Sequence, residues 1–257
     1  MTLLVVAVAG RGLVDPAEPV FDADDEALLR GGAAFETLRV YGGRPFLLDR
    51  HLRRLTFSCG ALGLEPPDGV AELADIVLEA APPDHVLRLY RTERALVATA
   101  AALPSDLDAL RDRGLTLATF ERVASPLLAG VKSTSYAEPF AARRAAAADD
   151  VLFVSGGAVT ECATANVWWR SGERLFTPRA GTGVLPGVTR GLLLGLEPAE
   201  EGAFALADVT DADEVFTTSS IREEMPVVEI DGRPVADGAP GPAAARLQAA
   251  LRLHSSQ

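Results

Sequence analysis

The 257-residue sequence is 48% hydrophobic and carries a formal charge of −12, from 24 basic and 36 acidic residues. That apolar fraction buries a substantial core, in one large domain or two modest ones. The acidic balance, with no basic cluster beyond pairs such as Arg53-Arg54 and Arg143-Arg144, excludes nucleic acid and anionic membrane as natural partners.

The apolar start Thr2-Leu3-Leu4-Val5-Val6-Ala7-Val8-Ala9 lacks a basic flank and is rich in β-branched residues, so it reads as a buried strand rather than a leader. No apolar run approaches the roughly 18 residues that would span a bilayer. Asp24-Asp25-Glu26 ahead of Ala27-Leu28-Leu29-Arg30, with Gly31-Gly32 behind, predicts a short capped helix. Next, 35–41 and 45–47 flank Gly42-Gly43 as a hairpin. Alternation puts Phe35, Thr37, Arg39 and Tyr41 on one face and Glu36, Leu38 and Val40 on the other. The first face suits either a pocket wall or an exposed sheet surface.

Asp49 is placed to cap a helix running to about Leu62 and closed by Gly63, and a second helix follows over 70–80. Strands over 86–90, 95–100 and 115–120 complete an α+β first half. Ser125-Pro126 and Gly130 then interrupt the pattern and mark a domain junction. Beyond it the chain reads as a helix over 138–148, strands at 151–154, 159–161, 166–169 and 175–176, and a helix over 189–196. Strands at 214–218 and 227–230 precede a last helix over 243–254. Cys59 and Cys162 are too few for a disulfide framework, which points to a reducing, cytoplasmic setting, and the scattered His51, His85 and His254 give no metal-ligand pattern.

One residue type stands apart. Of the 24 basic residues 23 are arginine, and Lys132 in Val131-Lys132-Ser133-Thr134-Ser135-Tyr136 is the single lysine. Arginine can replace lysine as a surface charge but not as an amine that must bond covalently to an aldehyde, so Lys132 is the first candidate for such chemistry.

Several stretches then fall into one order: Phe35-Glu36-Thr37-Leu38-Arg39 with His51-Leu52-Arg53-Arg54-Leu55, Lys132 to Tyr136, and Val159-Thr160-Glu161 with Asn166 and Thr177-Pro178. Leu185-Pro186-Gly187-Val188-Thr189-Arg190 and Thr218-Ser219-Ser220 before Met225-Pro226-Val227 follow. From about residue 28 to 228 this order resembles the fold-type IV pyridoxal-phosphate enzymes, the class IV aminotransferase family. That family includes branched-chain aminotransferases, D-amino-acid transaminases and aminodeoxychorismate lyase.

The resemblance implies an α+β, two-domain subunit: a small N-terminal domain over 1–121, a linker over 122–130 and a larger β-rich domain over 131–257. It also implies pyridoxal phosphate in the interdomain cleft, and a homodimer. Lys132 would be the Schiff-base lysine and the base that moves the Cα proton. Glu161 would hold the pyridine N–H, and Tyr136 would bond the phenolic oxygen. The phosphate would rest on Leu185, Gly187, Val188 and Thr189 at a helix start, with Ser219, Ser220 and Arg54. Phe35, Thr37 and Arg39 would line the substrate pocket. Arg222 is either a carboxylate ligand or a solvated loop residue, and Arg88 or Arg91 could also point inward.

The Gly181-Thr182-Gly183 stretch lacks the context of a dinucleotide fingerprint and reads as a turn. Two departures touch the substrate. The usual glycine-rich stretch after the glutamate is Cys162-Ala163-Thr164-Ala165, and Arg222-Glu223-Glu224 forms an unusually charged loop. The expected activity is amino transfer between an amino acid or amine and a 2-oxo acid. Release of pyruvate and 4-aminobenzoate from aminodeoxychorismate is the alternative, and an inactive scaffold a remote one.

Overall fold

A computed structural model describes residues 2–181 and 183–255, so Thr182 of the Gly181-Thr182-Gly183 turn lies outside the described residues. The chain divides into two compact units, Met1–Pro104 with Val131–Tyr136, and Ser105–Gly130 with Ala137–Gln257.

The first unit is built on an antiparallel sheet of β1 (Leu3–Val8), β2 (Gly12–Val14), β3 (Ala34–Tyr41), β4 (Arg44–Pro45), β5 (His85–Arg91) and β6 (Leu96–Ala101), in the order β2-β1-β6-β5-β3-β4. The period of two seen in 35–41 is realised strictly along β3, whose residues alternate buried and half-buried. Leu38 and Val40 pack with Leu87, Leu89, Ala98 and Ala100 beneath α2 (Leu48–Leu62) and α3 (Val70–Ala80), through Leu55, Cys59, Leu73 and Val77. The short helix α1 (Glu26–Leu29) is capped by the Asp25 side chain on the Leu28 N–H. Asp49 does not cap α2. The helix starts two residues earlier, from Leu47 in the left-handed region at φ 55°, and Asp49 falls in its first turn, where its charge still favours the N-terminal dipole.

The second unit holds a nine-stranded mixed sheet between helices. Its elements are α4 (Leu107–Arg113), β7 (Leu115–Glu121), α5 (Ala137–Ala145), β8 (Asp150–Ser155), β9 (Ala158–Cys162), β10 (Asn166–Ser171) and β11 (Arg174–Pro178), then α6 (Val188–Leu196), β12 (Glu200–Gly202), α7 (Leu206–Thr210), β13 (Glu214–Ser219), β14 (Glu223–Ile230), β15 (Arg233–Pro234) and α8 (Pro242–Ser255). The path is β12-β11-β10-β13-β14-β7-β8-β9, with β15 on β14. Both faces are covered. Trp169 joins Val167, Val215, Met225 and Val209 in one core, while its neighbour Trp168 joins Phe216, Leu193 and Leu247 in the other. A strand buried on both faces reads as a continuous apolar run, as Val167-Trp168-Trp169 does.

The division expected at 121 and 131 differs from these units on both sides. β7 pairs in parallel with β14 and β8, because Leu115 and Leu117 find their core in the second sheet. Residues 131–136 belong with the first unit. Helix α4 was not expected, and the helix predicted over 138–148 stops at Ala145. Glu223 and Glu224, expected in a loop, begin β14 and are buried.

Gly114 joins α4 to β7 at φ 76°, and a Cβ there would collide with the Val228 side chain. Replacing Gly114 with alanine is expected to cost about 2 kcal/mol in thermal unfolding. Gly60, inside α2 with open space around it, is the control: Gly60→Ala should leave stability equal or raise it by up to about 1 kcal/mol.

Candidate active site

Backbone hydrogen bonds fasten residues 132–134 to the start of β3. Phe35 N–H donates to the Lys132 carbonyl at 3.2 Å, Thr134 N–H to the Ala33 carbonyl at 2.8 Å, and Ala34 bridges Ser133. Lys132 N–H donates to Ser58 Oγ of α2 at 3.0 Å. Gly31 permits the approach: it has φ 73°, and a Cβ there would press on the Ser135 backbone at 3.1 Å.

This register sets the half-buried Lys132 ammonium 4.6 Å from the centre of the Phe35 ring and 3.5 Å from the Tyr136 hydroxyl. Phe35 and Tyr136 meet edge to face at 5.7 Å. Aromatic faces attract a cation, and the two rings help hold the amine in place.

Phe35, which lies against that amine, begins the predicted substrate face. Phe35, Thr37 and Arg39 are half-buried and stand opposite Tyr90, Arg88 and Val86 of β5, with Arg39 stacked 4.7 Å over Tyr41. Arg88 therefore shares the face with Thr37, whereas Arg91 turns away to donate to the Glu65 carbonyl at 3.1 Å.

The other face of β3 carries a residue to which the sequence reading assigned no role. Glu36 is fully buried and accepts two hydrogen bonds from Arg54, Nε and Nη2 each at 2.7 Å, and one from His51 Nδ1 at 2.7 Å. Burial would raise the Glu36 carboxyl, but Arg54 and then His51 outweigh it and hold it at about 2. Burial pushes the His51 imidazole down, so the ring is neutral and donates through Nδ1 to an acceptor-only carboxylate. Two cations, Arg54 and Lys132, act on His51 against one carboxylate.

In the second unit Glu161 leaves β9 with Oε2 accepting the Leu185 N–H at 2.8 Å and Oε1 at 3.7 Å from Arg122 Nη2. Arg122 is held by the Gly183 carbonyl at 2.8 Å and by the Phe153 ring at 4.6 Å. The Leu185 carbonyl accepts from Asn166 Nδ2 at 2.9 Å. Leu185, expected at the cofactor, thus spends its backbone on positioning Glu161 and Asn166.

Gly187 opens α6, and a Cβ there would collide with Asn166 Oδ1. No side chain caps the helix, so the N–H groups of its first turn, through Val188 and Thr189, are available to an anion. Ser219 and Ser220 follow at the half-buried end of β13, Ser219 Oγ accepting the Arg222 N–H at 3.3 Å. Arg222 is partly buried rather than solvated. Its Nη1 donates to the buried Asp150 at 3.0 Å. Among the described residues no group of His, Cys, Asp or Glu could hold a metal ion.

Comparison with known proteins decides the family. The family described as Amino-transferase class IV matches residues 33–230. The chain belongs to the class IV aminotransferases. It is 27% identical to a D-alanine aminotransferase of Listeria monocytogenes over 91% of each chain. It is 29% identical to an aminodeoxychorismate lyase of Bacillus subtilis over 88% of this chain and 87% of the relative. A hypothetical aminotransferase from Mycobacterium tuberculosis, solved in PLP-bound form, superposes with a TM-score of 0.88 at 26% identity, covering 97% of this chain and 98% of the other.

Pyridoxal phosphate is the cofactor of this aminotransferase, and the residues present fit it. The chain offers one lysine amine beside a phenol, a carboxylate held by a backbone N–H, an uncapped glycine-led helix and a half-buried guanidinium fixed by a buried carboxylate.

The buried Glu36 cluster has a measurable signature. Glu36→Ala would strand Arg54 and cost about 3–5 kcal/mol of stability, whereas Glu36→Gln should cost less. Because the folded carboxyl lies at about 2 against an ordinary 4.5, its contribution is complete above about pH 4.5 and lost as pH falls towards 2. Acid unfolding of the wild type should be steeper across that window than that of Glu36→Gln.

Proposed function

We propose that the chain transfers an amino group between an amino acid or amine and a 2-oxo acid. In this reading Lys132 anchors the cofactor through its amine. Once the donor has taken its place, Lys132 Nζ lifts the proton from the donor's Cα. Pyridoxal phosphate, when bound, supplies an aldehyde for the incoming amine and a ring that draws off the Cα electron pair. Glu161 accepts the ring N–H and keeps that nitrogen protonated, with Leu185 N–H and Arg122 fixing its orientation. Tyr136 orients the phenolic oxygen. The first turn of α6 from Gly187, with Ser219, Ser220 and Arg54, holds the phosphate, and Glu36 fixes the Arg54 guanidinium. Phe35, Thr37 and Arg39, joined by Arg88, contact the substrate.

The observation that carries this reading is the sole lysine, held half-buried between two aromatic rings rather than turned to solvent. Loaded enzyme mixed with single enantiomers of amino donors, and no oxo acid, should convert about one cofactor per subunit to its amine form and stop. Adding a 2-oxo acid should restore the aldehyde, and Lys132→Ala should abolish both changes. Turnover of aminodeoxychorismate to pyruvate and 4-aminobenzoate without an acceptor would establish the lyase reading instead. That reading is favoured by the 29% identity to the Bacillus subtilis lyase and by Cys162-Ala163-Thr164-Ala165 after Glu161.

The enzyme is further proposed to act as a cytoplasmic homodimer. Support comes from two buried unbridged thiols and from exposed apolar residues at Val123 (94%) and Leu127 (86%). Among the described residues no helix is long and apolar enough to cross a membrane. Sedimentation at twice the subunit mass is expected, and a monomer at micromolar concentration would contradict the dimer.

A further inference from the structure

Glu224 is the second residue of β14, paired across the ladder with Thr218, and Glu223 is paired with Ser219. Glu224 is 1% exposed, and neither carboxylate oxygen has a hydrogen-bond partner. An ionised carboxylate cannot be kept in such a place without a compensating charge. The cations near enough to supply one are taken by its neighbour. Glu223, held in the left-handed region at φ 59°, accepts from Gln248 Nε2 at 2.6 Å and Arg252 Nη2 at 2.8 Å on α8, and faces Arg111 of α4 at 3.4 Å. On β13 and β10 the groups beside Glu224 are neutral: Thr218 Oγ accepts the Trp168 Nε1 hydrogen at 3.0 Å. Burial first, and then the Glu223 charge, push the Glu224 carboxyl up to about 8, only partly offset by its own backbone N–H, Arg111 and Arg252.

We infer that Glu224 is a buried proton switch beneath the Ser219–Ser220 turn. With the proton on, the β13–β14 pair closes around a neutral acid. With it off, two negative charges stand side by side under the residues that hold the phosphate of the cofactor, and that hold weakens. This consequence rests on the proposed phosphate role of Ser219 and Ser220. By linkage, phosphate binding and retention of the Glu224 proton support each other.

Two pH windows separate the parts. The folded carboxyl keeps a proton that the unfolded chain releases at an ordinary 4.5, so ionisation costs stability progressively from about 4.5 to about 8 and by a constant amount above. The wild type should therefore fall in thermal midpoint relative to Glu224→Gln across that window, with the gap constant beyond it. Cofactor affinity responds only where the folded apoprotein ionises. Wild-type dissociation constants for pyridoxal phosphate, divided by those of Glu224→Gln, should rise about tenfold between about pH 8 and 9.5, the scale of one linked pH unit. The same ratio for pyridoxal, which lacks the phosphate, should stay flat.

If pyridoxal phosphate attaches to Lys132 in both proteins and the ratio is flat, the switch is refuted and the enzyme reading stands. If neither protein attaches it, the enzyme reading fails and the coupling with it. Should Glu224→Gln fail to fold, infrared difference spectra of the wild type decide. A protonated-carboxyl band present at about pH 7 and lost by about pH 9.5 supports the switch, and its absence at pH 7 overturns it.

Discussion

The strand-like pairing of residues 132–134 with Ala33–Phe35 is the constraint on which the catalytic reading depends. Four backbone groups and Ser58 Oγ decide where Lys132 points, and a slip of one residue would turn the ammonium to the opposite side of its segment. The same pairing brings Tyr136 to the amine and sets both on the Phe35 face of β3. A flexible four-carbon side chain becomes a positioned amine because its backbone is clamped and because two aromatic rings lie beside its charge.

Charge is handled by arginine everywhere else. Glu36 with Arg54 and His51, Asp150 with Arg222, and Glu223 with Arg252 and Arg111 place carboxylates at 1% exposure or less against forked guanidiniums. Such pairs contribute little net stability compared with apolar packing, but losing one partner is severe. They therefore fix geometry: the Arg54 guanidinium is aimed by Glu36, and the start of β14 is tied to α8 and α4. Lysine would do this work less well, since its ammonium lacks the planar fork. The rarity of lysine in the sequence and the density of buried arginine pairs in the structure are two sides of one design.

Much of this was legible beforehand. The alternation in 35–41 named the two faces of β3 and the Gly63 stop ended α2, while Lys132, Tyr136, Glu161 and Gly187 were singled out through the resemblance to the family. What escaped was non-local. Which sheet claims β7 depends on partners more than 30 residues away, and nothing in its own apolar pattern distinguishes the choices. Glu223 and Glu224 read as an exposed loop because charge usually means solvent. Glu223 is held buried by Gln248 and Arg252, more than 20 residues on, and by Arg111, more than 100 residues back. Glu36 did carry a local signal. A carboxylate between Ala34 and Leu38 on an apolar face requires a buried cation, and His51 and Arg54, one turn apart on α2, supply the matching donors.

The most direct test is chemical. Protein loaded with pyridoxal phosphate is reduced with borohydride, digested, and mapped by mass. With a single lysine in the sequence, the competing amine is the chain's α-amino group. The account predicts one phosphopyridoxyl adduct per chain, on the peptide containing Lys132. An adduct confined to the α-amino group, or none at all, would contradict it.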